Sequence, residues 1–305
     1  MKKLLATIFL GVSMLSFSQD YTKYRSETLI SPETAKEMIA KDKNLVVIDV
    51  RPTAKFLTGN IRGSYNLWRP DMEAQDKRYG ELGGMRASRQ ELEKELNAMG
   101  VKEDSTLLLI GDNLDEYRFW WIMDMYGAKN MKIVDGGFNA LKTSGVSTRI
   151  GAEPAPKSGN YLFPAVEEKD TLATFEETKI AIEDKNSVIL DTRSYKEFTG
   201  EETKSGAFGK GRIPNSVFLE WSDALNKDKT MKSYEELVKL YTAVGITPDK
   251  TIIPYCQSAV RSAHTAFVLQ ELLGYNKVKN YDGSWIEWSY EVSKNNAPVE
   301  SGEKK

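Results

Sequence analysis

"VVIDVRPTAKFLTG" runs from Val46 to Gly59, and "VILDTRSYKEFTG" runs from Val188 to Gly200. Each opens on a β-branched apolar run, passes through Asp-x-Arg and closes on Thr-Gly. Asp49 answers Asp191 and Arg51 answers Arg193, both at an offset of 142. The pattern reads as a buried strand feeding a turn. Three more matches follow in the same order. "GNIRGSYNLW" (59–68) answers "GRIPNSVFLEW" (211–221), with "EETKSGAFGK" (201–210) as an extra loop in the second copy. "TLLLIGD" (106–112) answers "TIIPYC" (251–256). "YGAKNMKIVDGGFNAL" (126–141) answers "LGYNKVKNYDGSWIEW" (273–288), which pairs Asp135-Gly136 with Asp282-Gly283. Ordered matches with a slowly drifting offset mark a duplicated domain.

Strands alternate with helical stretches such as "SRQELEKELNAMG" (88–100) and "SYEELVKLYTAVG" (233–245). Each starts at a Ser cap and stops at a Gly. Alternation of this kind predicts an α/β fold, each copy a mostly parallel sheet flanked by helices. The copies would occupy 19–150 and 171–305. The Gly-, Pro- and Ser-rich stretch across 151–170 would be the linker. Trp120 and Trp121 would pack between the domains, and the tail "SGEKK" would be solvated and disordered.

The N-terminus reads differently. Lys2 and Lys3 precede "LLATIFLGVSMLSF", and Ser16 and Ser18 flank Phe17. This is the pattern of a cleavable signal peptide over 1–18, with an apolar run too short to span a bilayer comfortably. The expectation is an exported protein, periplasmic or secreted, with no membrane association after cleavage. The formal net charge of −2 becomes −4 when the two lysines leave, so nothing favours a nucleic-acid partner.

The chain holds one cysteine, Cys256, and one histidine, His264. A lone cysteine in an exported chain is a buried bystander or a reactive thiol. Cys256 ends a strand, and "RSAHTAFVLQELLG" (261–274) reads as the helix that follows. Ligand sites in open α/β sheets lie beyond the C-terminal strand ends. A helix N-terminus and the Arg261 charge favour a thiolate there. Cysteine phosphatases close their phosphate loop with Cys-x5-Arg. Here the spacing is Cys-x4-Arg, a tighter ring that suits a single terminal sulfur atom. His264 has no partner with which to make a catalytic pair, and its expected role is packing.

Over its whole mature length the chain resembles a two-domain rhodanese, a thiosulfate sulfurtransferase. Asp191-x-Arg193, Gly211-Arg212-Ile213-Pro214, "YCQSAVRSAHT" and "YDGSW" carry the resemblance. It implies a catalytic second copy and a silent first copy, with Asp112 standing where Cys256 stands. It implies that Cys256 takes the outer sulfur of thiosulfate as a persulfide and hands it to cyanide or a thiol acceptor. Backbone N–H groups of Gln257, Ser258, Ala259, Val260 and Arg261 would cradle that sulfur. Arg261 would meet the donor's sulfonate, with Arg86, Arg118 and Lys232 as weaker candidates. Trp285 would wall the site, and Asp191 and Arg193 would form a structural pair beside it. No metal or cofactor is required, and a monomer is favoured. Relatives that act on 3-mercaptopyruvate carry a loop similar to Cys-Gly-Ser/Thr-Gly-Val-Thr, unlike Cys-Gln-Ser-Ala-Val-Arg here. Glu197 departs from the family's basic residue at that position, which weakens the case for thiosulfate and keeps two alternatives open, a 3-mercaptopyruvate sulfurtransferase and a sulfur-carrier or binding module.

Overall fold

The computed structural model describes residues 19–303 except 77, 78 and 113. The signal peptide expected over 1–18 lies outside the described residues. In the first domain, β1 (Leu29–Ile30), α1 (Pro32–Lys41), β2 (Leu45–Asp49), α2 (Thr53–Thr58), β3 (Asn60–Ile61) and β4 (Ser64–Asn66) come first. Then follow α3 (Arg89–Ala98), β5 (Thr106–Ile110), α4 (Asp115–Met125), β6 (Met131–Val134), α5 (Gly137–Thr143) and β7 (Thr148–Arg149). Five of these strands form a parallel sheet in the order β1-β6-β5-β2-β4.

The second domain repeats the plan with β8 (Leu172–Ala173), α6 (Phe175–Ala181), β9 (Ser187–Asp191), α7 (Tyr195–Thr199) and β10 (Val217–Phe218). It continues with α8 (Tyr234–Thr242), β11 (Thr251–Tyr255), α9 (Arg261–Phe267), β12 (Asn280–Tyr281) and α10 (Ser284–Asn295). β10, β9 and β11 pair in parallel, as do β12 and β8. A parallel bridge between Ile252 and Val278 joins the two groups. The resulting order, β8-β12-β11-β9-β10, is that of the first sheet. The fold is thus a tandem α/β pair.

The caps explain the helix limits. Ser88 with Glu91, and Ser233 with Glu236, close reciprocal capping boxes at the starts of α3 and α8. The helix expected over 261–274 is α-helical only to Phe267. It then widens into a π-helical turn, Val268–Leu272, before Gly274.

The 151–170 segment carries no helix or strand, yet it is packed. Tyr161 and Phe163 are buried in the core. Asn97 receives the Gly159 and Tyr161 N–H groups at 2.8 and 2.7 Å. At Gly159 a Cβ would lie 1.8 Å from the Val101 carbonyl oxygen, so only glycine fits. The tail also departs from expectation. Gly302 donates to the Thr199 carbonyl at 2.7 Å, and Arg212 Nη1 donates to the Gly302 carbonyl at 2.6 Å. Gly302 is exposed but tied down by these two bonds, which the composition of the tail does not reveal, while Lys304 and Lys305 lie outside the described residues.

α4 and α9 meet between the domains. Trp120 packs edge-on against Phe267 at 4.9 Å, and Tyr117 packs against His264 at 4.6 Å. One apolar cluster runs through both domains and includes Trp120, Trp121, Phe267 and Leu269.

Candidate active site

β9 and β11 end together, with Asp191 opposite Tyr255 in the parallel ladder. The next residue after β11 is Cys256, so the thiol sits at the C-terminal edge of the sheet. Arg193 folds back on Asp191, Nε to Oδ1 at 2.9 Å and Nη2 to Oδ2 at 2.6 Å, and also donates to the Gly211 carbonyl at 2.8 Å. Both side chains are buried. The guanidinium also lies 4.6 Å over the Trp285 ring. This assembly fixes the floor beneath the loop.

The loop itself is tightly held. Ala259 has φ +52° and Ser284 has φ +48°, both in the left-handed region that side chains disfavour. Ser284 Oγ accepts the Cys256 and Ala259 N–H groups at 3.2 and 3.1 Å and donates to the Tyr281 carbonyl at 2.7 Å. The Trp285 N–H bonds the Cys256 carbonyl at 2.9 Å. The start of α10 therefore shapes the cysteine loop.

Cys256 is buried. Burial pushes its thiol up. The Arg261 charge, the Ser262 N–H and hydroxyl, and the Ser258 N–H more than offset this and hold it below the ordinary value. Ser262 Oγ lies 3.7 Å from Sγ. A buried thiol biased toward thiolate is a nucleophile kept from bulk water.

Several expected roles change. The Ala259 N–H points to Ser284 rather than to the sulfur. The Gln257 side chain turns away and bonds the Lys204 and Ser205 carbonyls at 3.4 and 3.2 Å, which anchors the 201–210 loop over the site. Val260 is the residue before α9, and its carbonyl accepts the His264 N–H at 3.3 Å. The Trp285 indole is fully buried among Tyr255, Tyr281 and Trp288 and donates to the Gly209 carbonyl at 3.0 Å. Its ring is packed in the core of the second domain.

Arg261 is not free to meet a sulfonate. Its guanidinium makes two bonds to buried Glu197, at 2.7 and 2.9 Å. Burial raises the Glu197 carboxyl, but the hydrogen bonds and charge of Arg261 dominate and bring it down to about 2. Glu197 occupies the place of an expected cation and clamps the cation that remains. Arg86 and Arg118 are committed to Asp282, at 3.2 and 2.7 Å. Lys232 Nζ bonds the Asp223 carbonyl at 2.5 Å. Lys204 Nζ stands 3.9 Å from Glu197 and is half exposed.

His264 is fully buried between Tyr117 and Trp221. Among the described residues neither ring nitrogen has a hydrogen-bond partner, and burial alone lowers its pKa to about 3. It is a neutral interface residue.

The first copy has a different counterpart for the thiol than Asp112. Asp49 pairs with Ile110 where Asp191 pairs with Tyr255. The Phe138 N–H bonds the Gly111 carbonyl at 2.9 Å, as the Trp285 N–H bonds Cys256. Gly111 is therefore the structural equivalent of Cys256. The sequence match of seven residues to six places the counterpart one residue too far on, at Asp112. Asp115 opens α4 as Arg261 opens α9, and the next residue, Glu116, folds back so closely that a Cβ on Gly111 would meet its Oε2 at 1.9 Å.

Comparison with known proteins agrees with this architecture. The family model for the Rhodanese-like domain matches residues 31–144 and 174–291. The chain belongs to the rhodanese family of sulfurtransferases, with two such domains in tandem. It is 33% identical over 288 residues to the "Putative thiosulfate sulfurtransferase" of Mycolicibacterium smegmatis, covering 91% of this chain and 99% of that one. It is 32% identical over 295 residues to the "Sulfur carrier protein TtuD" of Thermus thermophilus, covering 91% and 98%. In fold it resembles the anaerobic ergothioneine biosynthesis enzyme of Chlorobium limicola, solved with trimethyl histidine. That likeness has a TM-score of 0.76 and 23% identity, over 91% of this chain and 71% of the other.

Proposed function

We propose that the protein moves a sulfane sulfur from thiosulfate to cyanide or a thiol through a persulfide on Cys256. The observation that carries this reading is the thiol itself. It is the chain's single cysteine, at a strand end, lowered by Arg261 and by donors from Ser258 and Ser262. In the first half-reaction the thiolate attacks the outer sulfur of thiosulfate. The sulfur–sulfur bond of the donor breaks, sulfite leaves with its electron pair, and Cys256 carries S–S⁻. The Ser262 and Ser258 donors then face the charged outer sulfur. In the second, cyanide attacks that sulfur, thiocyanate leaves and the thiolate returns. Because Cys256 is buried, the 201–210 loop or the Gly84 segment has to move for each reactant. Gly84 approaches Ser258, with a Cβ built on it 3.1 Å from the Ser258 Cβ.

One observation favours a second reading. The Glu197–Arg261 pair ties up the cation of the cysteine loop, which fits a donor of lower charge than thiosulfate, such as a persulfide offered by a partner protein. The chain would then act as a sulfur carrier. We also propose export, from the sequence of residues 1–18, and a monomeric state. Thiocyanate release from thiosulfate and cyanide tests the first reading. Efficient loading from a persulfide donor with negligible thiocyanate from thiosulfate would replace it with the second.

A further inference from the structure

The two domains exchange contacts across a pseudo-twofold relation, and the exchange is unequal. Asp135, in the first domain, receives the Met231 N–H from the second at 2.8 Å. Asp282, in the second, receives the Arg86 N–H from the first at 3.2 Å. Arg86 and Met231 are equivalent, since Ala87 bonds Met72 as Lys232 bonds Ala224. Yet the first domain adds the Arg86 guanidinium and Arg118, both on Asp282. The N–H of Arg118 bonds the carbonyl of Leu114, the residue before α4, as the N–H of His264 bonds that of Val260, the residue before α9, so the residue matching Arg118 is His264. The second domain thus returns no guanidinium from either position.

Arg118 reaches the reactive loop in two ways. Its Nη1 lies 3.5 Å from the carbonyl oxygen of Ala259, the loop residue in the left-handed conformation. Its Nη2 pairs with Asp282 Oδ1 at 2.7 Å and donates to the Gly84 carbonyl at 3.1 Å. Asp282 leads through Gly283 into Ser284, whose hydroxyl receives the N–H groups of Cys256 and Ala259. Arg118 and Asp282 are both buried, so neither charge is met by water. Left-handed backbone at Ala259 and Ser284 persists only where its surroundings over-determine it. The Arg118 guanidinium touches both the loop and the residue placing Ser284.

We infer that Arg118, carried by the otherwise silent first domain, is a positioning residue for the Cys256 loop. It holds Ala259 and Asp282 so that the Ser258 and Ser262 donors converge on the sulfur. The inference adds a trans-domain role to the sulfur-transfer reading and rests on it only for its consequence to turnover.

The test is the pH profile of Cys256 alkylation by iodoacetamide in the full chain, where the single cysteine makes the signal unambiguous. The profile midpoint reads thiol ionisation separately from access. Arg118→Gln is expected to raise the midpoint by about one pH unit, a tenfold loss of thiolate below the midpoint. Arg118→Lys is expected to recover part of the shift. Near-ultraviolet circular dichroism confirms the fold. A folded Arg118→Gln protein with the wild-type midpoint overturns the inference. If Arg118→Gln does not fold, Arg86→Gln decides. It removes the other guanidinium from Asp282 and is expected to shift the midpoint the same way by a smaller amount, and an unchanged midpoint overturns the inference. Sulfur loading of the wild type is measured alongside. Its absence from every donor would defeat the sulfur-transfer reading, while the alkylation midpoints would still decide the role of Arg118.

Discussion

At one strand end stand Cys256 and Arg261, and at its equivalent in the other domain stand Gly111 and Glu116. The backbone frame is the same in both. Val50 bonds Ile110 at 2.9 Å and Thr192 bonds Tyr255 at 3.0 Å. Arg51 and Arg193 each fold onto the aspartate two residues before them and onto a glycine carbonyl, at 2.8 Å in both cases. What differs is the chemistry placed on the frame. In the second copy a thiol faces a cation, the Ser262 hydroxyl and backbone N–H donors. In the first, the thiol position has no side chain and a carboxylate covers it. Duplication preserved the scaffold, while nucleophile and charge remained in one copy. The Asp-x-Arg pair, present in both, belongs to the scaffold.

The contrast can be broken first at the thiol. Cys256→Ser is expected to abolish thiocyanate production from thiosulfate and cyanide. Residual turnover would mean that another group bears the sulfur.

The two interface aspartates give the next largest difference. Asp282 is buried. Burial raises its carboxyl, but Arg118 and Arg86 dominate and hold it below the usual range. Asp282→Asn leaves two guanidiniums without their carboxylate, and urea melts at pH 8 are expected to show a loss of about 3–5 kcal/mol. Asp135 is also buried but meets no such pair, and burial pushes it up to about 6. A carboxyl raised in the folded state binds its proton more tightly there than in the unfolded chain. Stability therefore falls as pH rises from about 4 to about 6, by up to about 1.4 kcal/mol per pH unit. Asp135→Asn is expected to flatten that slope and to be neutral or stabilising at pH 8. Equal losses for the two variants would erase the asymmetry between the domains.

A smaller effect is expected at Glu197. Glu197→Gln loosens the clamp on Arg261 and is expected to lower KM for thiosulfate severalfold, measured by sulfite release. An unchanged or higher KM would show that Arg261 does not meet the donor. Least of all is expected from Asp112→Ala. Asp112 is paired with Lys55 at 2.6 Å in the first copy, and transfer should remain near the wild-type rate. A large loss would mean that the first site takes part in turnover.

Much of this was legible in the chain. The duplicated strand-turn segments marked two α/β domains, because β-branched runs ending in Asp-x-Arg read as buried strands feeding a turn, while the order of the strands came only from the ladders. The reactive loop was legible because Cys256 is the lone cysteine and sits between a strand and a helix. Partnerships formed across the fold were not. Glu197 was visible as a departure, but its grip on Arg261 arises from α7 and α9 meeting in space. Ser284 lies 28 residues from Cys256 and enters the site through α10. Ser262 was nearer to hand, as a hydroxyl directly after Arg261 at the start of α9. The first-copy counterpart was misplaced by one residue because only ladder register, not residue type, distinguishes Gly111 from Asp112.

The central claim is that Cys256 carries the transferred sulfur. Its most direct test is the intact mass of the protein before and after thiosulfate, with Cys256→Ser beside it. The account predicts a gain of one sulfur atom, lost on adding cyanide and absent from the variant. No gain from thiosulfate or from any persulfide donor, or a gain that survives in Cys256→Ser, would contradict it.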